Sequence, residues 1–296
     1  GCRKVPFPPL PFARTSYSID FSENAKLDEA DKNPRKPHPS DWYALPAWRK
    51  TPAVKYVPRP AGDVPDADPL WLVFAGDVLG DAIAAALKER GQRHFVVRRG
   101  SRFHRDGNEI VLDPRRQEDF NTLFGELPAD RTSIKVIYGW THTPGDGVAL
   151  AVSGADAALE TCFYSLIRLE RGLIDHSFGT RANLLVLVDD AFDVSGGGKI
   201  RAERALCVGP ARTLFKEHPE YCSRLVNIES RHLDDAPLPR LAAALIQEAQ
   251  FETDEAMVSY AGLTRWAECF DPVALEREDA IDVPPALKPG GVYLIT

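Results

Sequence analysis

A chain of 296 residues with 44% hydrophobic content has the length and apolar content for one large domain or two small ones, which excludes disorder throughout. A net charge of −7 excludes wholesale attraction to nucleic acid or to an anionic membrane, because both need a basic surface. No apolar run approaches the ~20 residues that span a bilayer, and "GCRKVPFPPLPF" is too short and proline-rich for the apolar segment of a signal peptide, so a cytoplasmic location is expected.

Residues 1–69 differ from the rest. Eleven of the 24 prolines fall between Pro6 and Pro60, joined by charged stretches such as "NAKLDEADKNPRKPHPSD". Proline cannot feed a helix or an inner strand, and so polar a segment has little apolar surface to bury, so this is linker chemistry. Two islands are apolar and aromatic, "VPFPPLPFARTSY" (5–17) and "DWYALPAWRKT" (41–51). Such islands lie along a neighbouring surface that hides their rings from water. Trp42 and Trp48 are therefore candidate contacts with a partner.

From Pro69 short apolar runs alternate with helical segments. Strands are predicted at "LWLVFA" (70–75), "HFVVRR" (94–99), "EIVLD" (109–113), "IKVIYGW" (134–140), "NLLVLVD" (183–189) and "SRLVNIE" (223–229). A helix over 79–90 follows the first strand. Over 117–127 Phe120, Leu123, Phe124 and Leu127 form one stripe at helical spacing, and 155–172 repeats it with Leu159, Cys162, Phe163, Leu166 and Leu169. A further helix over 240–250 buries Leu241 and Leu245. Near-continuous apolar strands mean a sheet covered on both faces, and strand–helix alternation means mostly parallel order with right-handed crossovers. The expected fold is a doubly wound, mostly parallel α/β sheet with Trp71 and Trp140 in its core. Residues 255–270 read as two adjacent strands or a hairpin, followed by a proline-marked connector (272–285). In "LKPGGVYLIT" (287–296) a Lys-Pro-Gly turn launches an apolar strand, expected either to pair with the sheet or to open a further domain; its Val292, Tyr293 and Leu294 are candidate partner contacts.

The first strand and helix pose the functional question. A dinucleotide site needs GxGxxG, because the backbone must turn tightly and approach a pyrophosphate seated on the helix N-terminus. The corresponding stretch is Gly76-Asp77-Val78-Leu79-Gly80-Asp81, with two glycines and two carboxylates. A carboxylate ~4 Å from a phosphate charge costs roughly 4 kcal/mol at an effective dielectric of ~20. The alternative is that Asp77 or Asp81 caps the helix by accepting its free amides, and the absent glycine and added charge favour the cap. A site using the loops after strands 70–75 and 134–140 would draw on Gly76, Gly80 and His142. The other glycine-rich stretch, "VSGGGKIRAE" (194–203), places Ile200 where a phosphate loop needs a hydroxyl for magnesium, and is expected to be a flexible loop.

Other chemistry is missing at the level of motifs. Cys2, Cys162, Cys207, Cys222 and Cys269 have no ligand spacing and read as reduced thiols, and the seven histidines form no HxxxH or HExxH unit, so no metal is expected. There is no GxSxG and no tyrosine followed four residues later by lysine. The nearest approach, Tyr164 and Arg168, lacks a group that can relay a proton, and Tyr164 is expected to pack against the sheet. No catalytic residue is assigned.

These segments, in order, resemble the structural half of the ketoreductase of modular type I polyketide synthases. "WLVFAGDVLGDAIAAALKERG" is similar to its first strand and helix, "EIVLDPRRQEDFNTLFGEL" to its "ldP…dy..L…L" stretch, and "VIYGW" to the strand written "hlW". "CFYSLIRLERGL" resembles the "sll.L.qal" helix, and "AERALCVGPARTLFKEHPEYCSRLVNIE" the segment ending in "r.vDl". "VPFPPLPFARTSY" resembles the linker that follows an acyltransferase, with Ser18 in place of its tryptophan, and "DWYALPAWRK" the opening strand of the ketoreductase. "LKPGGVYLIT" resembles the start of the catalytic half, whose "GGxGxxG" does not follow here. The resemblance implies a linker over 1–40, an opening strand and linker over 41–69, a truncated Rossmann-like, short-chain-reductase-like subdomain over 70–285, and a strand over 286–296 leading into a catalytic half. It also implies that this half holds no cofactor, that NADPH belongs to the catalytic half, and that the partners are that half and neighbouring acyltransferase and acyl carrier protein domains, with no nucleic acid and no membrane.

Overall fold

The computed structural model describes residues 42–54, 69–128, 133–143, 152–176, 181–218, 221–251, 255–273, 288 and 290–294. The predicted linker over 1–40, its first aromatic island and most of the 272–285 connector lie outside these residues. The chain divides into two units, Pro46–Asp271 and a second made of Gly1–Leu45 with Pro272–Thr296.

The larger unit carries the sheet. Its elements in chain order are β1 (Tyr43–Thr51, which begins in the smaller unit), β2 (Leu70–Phe74), α1 (Val78–Glu89), β3 (His94–Arg99), β4 (His104–Asp106), β5 (Glu109–Leu112), α2 (Gln117–Gly125) and β6 (Ser133–Tyr138). Then come α3 (Val152–Leu159), α4 (Ser165–His176), β7 (Arg181–Asp189), α5 (Val208–Glu217), β8 (Tyr221–Ile228), α6 (Leu238–Gln250), β9 (Met257–Ala261) and β10 (Thr264–Val273). The strand order is β1-β10-β9-β8-β7-β6-β2-β3-β5-β4. From β5 to β9 all neighbours run parallel, and β4 and β10 pair antiparallel with β5 and β9. The order reverses between β2 and β6, and that is where a doubly wound sheet opens its crevice for a ligand.

The sheet is parallel because its central strands are apolar on both faces. Every residue of β2 and β6 is buried. One layer joins Leu72, Phe74, Val136 and Tyr138 to Phe120, Leu123 and Phe124 of α2 and Leu166, Leu169 and Leu173 of α4. The other joins Trp71, Val73 and Ile137 to Leu79, Ile83 and Leu87 of α1 and Leu241, Leu245 and Ile246 of α6. Each such side chain contributes roughly 1.5–3 kcal/mol on burial. Trp71 and Trp140 are both fully buried, as their places in the strands predicted.

Several elements depart from the sequence reading. β4 was not predicted, although Asp106-Gly107-Asn108 carries the turn chemistry of a hairpin: Gly107 has φ +57° and Asp106 pairs with Glu109. α5 was concealed by Gly209 and Pro210, which a first helical turn tolerates. The helix expected over 155–172 is one run from Val152 to His176, interrupted by a π-helical turn at Glu160–Tyr164. That turn carries Tyr164 outward: it is exposed, with the Arg168 guanidinium 5.8 Å from its ring, and does not pack against the sheet. The 255–270 region is a hairpin, β9–β10, turning at Gly262 with φ +60°.

In the smaller unit the chain turns at Gly290, which has φ +73°, and the Gly291 amide donates to Lys288 O at 2.9 Å. The strand predicted after this turn is absent: residues 291–294 form no strand, and Val292, Tyr293 and Leu294 are exposed. No helix among the described residues is long and apolar enough to cross a membrane.

Candidate functional site

The loops after β2 and β6 meet at the switch point, and they are packed against each other. A Cβ added to Gly76 would stand 3.0 Å from Gly139 O and 3.2 Å from the Trp140 Cα, and the Gly139 amide donates to Phe74 O at 2.9 Å. Gly80 is equally confined, since a Cβ there would come within 2.8 Å of the Ala75 Cα. Both glycines are therefore required by backbone contact within the protein. Space for a phosphate does not explain them.

Asp77 occupies the helix N-terminus. Its Oδ1 accepts from the Gly80 amide at 3.2 Å, so it is the cap of α1. Its Oδ2 lies 2.7 Å from Nδ1 of His142, which is 1% exposed. Asp81 turns away to pair with Arg98 at 2.7 Å. Gly76, Gly80 and His142 are thus brought together as the sequence suggested, but around a carboxylate. The amide at Gly80 is engaged by Asp77, and so is Nδ1 of His142.

The C-terminal end of β7, next in the sheet, is filled by ion pairs that the sequence did not announce. Asp189, fully buried, accepts from the Thr143 amide at 3.0 Å and from Arg201, and its Oδ1 lies 3.0 Å from Nε of Arg204. Arg201 also donates to Thr143 O at 2.8 Å, and Arg204 to the Thr143 hydroxyl. The hydroxyl of Thr141 reaches Leu187 O at 2.5 Å. Arg204 also points Nη1 at Cys162 Sγ, 3.6 Å away. The signal was the "KIRAER" stretch, a pair of arginines just beyond a strand ending in Asp189, but its partners lie in other elements.

The glycine-rich loop is pinned, contrary to the flexible loop expected. Glu229 Oε1 accepts from the amides of Val194 (2.7 Å) and Ser195 (2.9 Å), and the Ser195 hydroxyl donates to Oε2. Arg231 donates to Ser195 Oγ at 2.5 Å. Burial would raise the Glu229 carboxyl, but the bonds from Ser195, Val194 and Arg231 outweigh it and hold it below its ordinary value. His232 Nε2 is 3.3 Å from Ser195 Oγ and its Nδ1 is 2.5 Å from Asp235. The shape is that of a nucleophile, base and orienting acid, yet the serine proton is committed to Glu229, so the group anchors a loop.

Among the proposed partner contacts, Trp42 is exposed, whereas Trp48 is half-buried with its ring 5.5 Å from Phe192. Among the described residues no three His, Cys, Asp or Glu side chains are grouped to hold a metal.

Residues 70–243 match the family model described as beta-ketoacyl synthase-like, N-terminal. The chain belongs to that family. Two solved structures show where a member of this beta-ketoacyl synthase-like N-terminal family stands in fold space. One is the adenylation, ketoreductase and pseudo-Asub multidomain structure of a keto acid-selecting NRPS module, at 21% identity and TM-score 0.64, covering 90% of this chain and 21% of that one. The other is an N-terminal ketoreductase from the macrolactin assembly line, at 12% identity and TM-score 0.59, covering 81% of this chain and 46% of that one. The family member thus spans less than half of either chain, and the likeness establishes the Rossmann-like fold. A search of curated proteins returned no match.

Proposed function

We propose that this chain is a structural, cofactor-free subdomain of a ketoreductase in a modular synthase that makes polyketides, and that it braces a second, catalytic Rossmann-like half. The observation that carries this reading is the closed switch point: Gly76 packed on Gly139 and Trp140, with Asp77 capping α1 and holding His142. A sheet of the nucleotide-binding build whose crevice is occupied by its own side chains retains the rigidity of that build and gives up its ligand. The two solved structures support the setting, since each is described as containing a ketoreductase. NADPH, in this reading, is held by the catalytic half, and acyltransferase and acyl carrier protein domains are its neighbours.

The test is calorimetric titration of the chain with NADPH. No saturable heat is expected. Saturable binding with a micromolar dissociation constant would overturn the reading and restore the alternative, a free-standing α/β enzyme using Gly76, Gly80 and His142.

A further inference from the structure

One corner of the sheet carries positive charge against the balance of the chain. Over 98–116 six arginines stand with three carboxylates, whereas the whole chain has a net charge of −7. β3 and β5 are parallel neighbours with Arg99 opposite Leu112, so the loops that follow them, 100–103 and 113–116, leave side by side from the C-terminal end of the sheet. Both loops are held. The Gly100 amide donates to Leu112 O at 2.8 Å, and a Cβ on Gly100 would stand 2.2 Å from Val111 Cγ1. The Asp113 amide donates to Asp119 Oδ2 at 2.9 Å, the Arg115 amide to Asp113 Oδ1 at 3.0 Å, and Arg168 Nη1 to Pro114 O at 3.0 Å. Four carboxylates of the region are engaged by other arginines: Asp81 and Glu109 by Arg98, Glu126 by Arg105, and Asp119 by Arg116 at 3.7 Å. Arg99, Arg102 and Arg115 are exposed, and their guanidinium groups make no hydrogen bond or ion pair among the described residues.

We propose that Arg99, Arg102 and Arg115 form a docking face for an acidic surface of another protein. The proposal is independent of the closed crevice. A guanidinium donates in a fixed fork that matches a carboxylate through two parallel bonds. Loops tied down before binding have less freedom to lose when a partner arrives, and opposite charge steers the encounter and fixes its orientation. A protein fits this face better than a nucleic acid does. A long polyanion would run from the corner onto a molecule that is otherwise acidic. The aromatic ring in the stretch, Phe103, is half-buried against the apolar layer, so no exposed phenyl, phenol or indole ring stands there to stack a base. Beside the face, the edge strand β4 is three residues long with His104 and Asp106 outward. So short and polar an edge disfavours pairing with a partner's strand, which leaves side-chain charge as the means of recognition.

The experiment is fluorescence anisotropy of the full chain with a labelled, alanine-based helical peptide bearing glutamate at every fourth position, which sets its carboxylates along one side. Saturable binding is expected at low salt, weakening as sodium chloride screens the charges. Each of Arg99→Ala, Arg102→Ala and Arg115→Ala should weaken it about threefold, and the triple substitution about twentyfold or more. The melting temperature should not move, because none of these side chains has a bond among the described residues to lose. Arg240→Ala, at an exposed position of α6 in the other layer, should leave the affinity unchanged. The peptide with glutamine for glutamate should not bind. Absence of saturable binding at low salt, undiminished affinity in the triple variant, or an equal loss with Arg240→Ala would each overturn the proposal. So would tighter binding of a single-stranded oligonucleotide of the same charge, which would assign the face to nucleic acid. Should the triple variant melt early, the three single substitutions decide by the same criterion.

Discussion

Asp77 has two partners, and both matter at the scale of single residues. It satisfies the Gly80 amide that no helical carbonyl can reach, and it engages Nδ1 of His142, whose Nε2 has no partner among the described residues. Asp77→Ala is expected to lose the cap, worth about 0.5–2 kcal/mol, and to lie at the upper end of that range because it also strands a buried imidazole. Urea denaturation reads the loss. Glu229 gives a pH prediction. Its folded value lies below the unfolded value of 4.5, so the stability it adds is complete above that value and is lost as pH falls from about 5 through the folded value. Glu229→Gln should therefore flatten the acid limb of a melting temperature against pH curve while lowering its plateau.

At the scale of elements, one helix carboxylate ties three strands together. Glu248 of α6 accepts from Arg224 of β8 at 2.5 Å, from the Tyr260 hydroxyl of β9 at 2.8 Å and from Arg265 of β10. Arg265 also reaches Thr51 of β1 at 2.8 Å and Glu255 at 2.6 Å. All three partners are buried, so replacing the carboxylate leaves two arginines charged and away from water. Glu248→Ala is expected to cost about 3–5 kcal/mol by chemical denaturation, more than a surface ion pair such as Arg49–Asp271, which lies in the range of about 0–1 kcal/mol. The network adds side-chain ties to the parallel pairing of β9 with β8 and the antiparallel pairing of β10 with β9.

For the whole molecule, the relevant fact is that β2 and β6 serve both apolar layers. Trp71 belongs to one layer and Trp140 to the other, and both are fully buried. Neither layer can lose its strands without exposing the other. The unit Pro46–Asp271 should therefore unfold in one transition, with Trp71→Phe and Trp140→Phe variants giving coincident fluorescence and far-ultraviolet dichroism midpoints.

Much of this was legible in the chain itself. Apolar runs with helical stripes between them determined the parallel sheet, its two covered faces and the burial of Phe120, Leu123, Phe124, Trp71 and Trp140, because burial of one stripe or strand depends mainly on local spacing. The deficit of glycines and the two aspartates at 76–81 determined that a cap was the better use of that turn, since capping is settled within one helical turn. Tertiary structure alone decided what fills the crevice. His142 reaches Asp77 across 65 positions, Arg204 reaches Cys162 across 42, and Glu229 reaches Ser195 across 34, distances over which sequence carries no spacing rule. It also decided that Tyr164 faces outward: in the run from Val152 to His176 the core side is taken by Cys162, Leu166 and Leu169, and Tyr164 at the π-helical turn is left exposed.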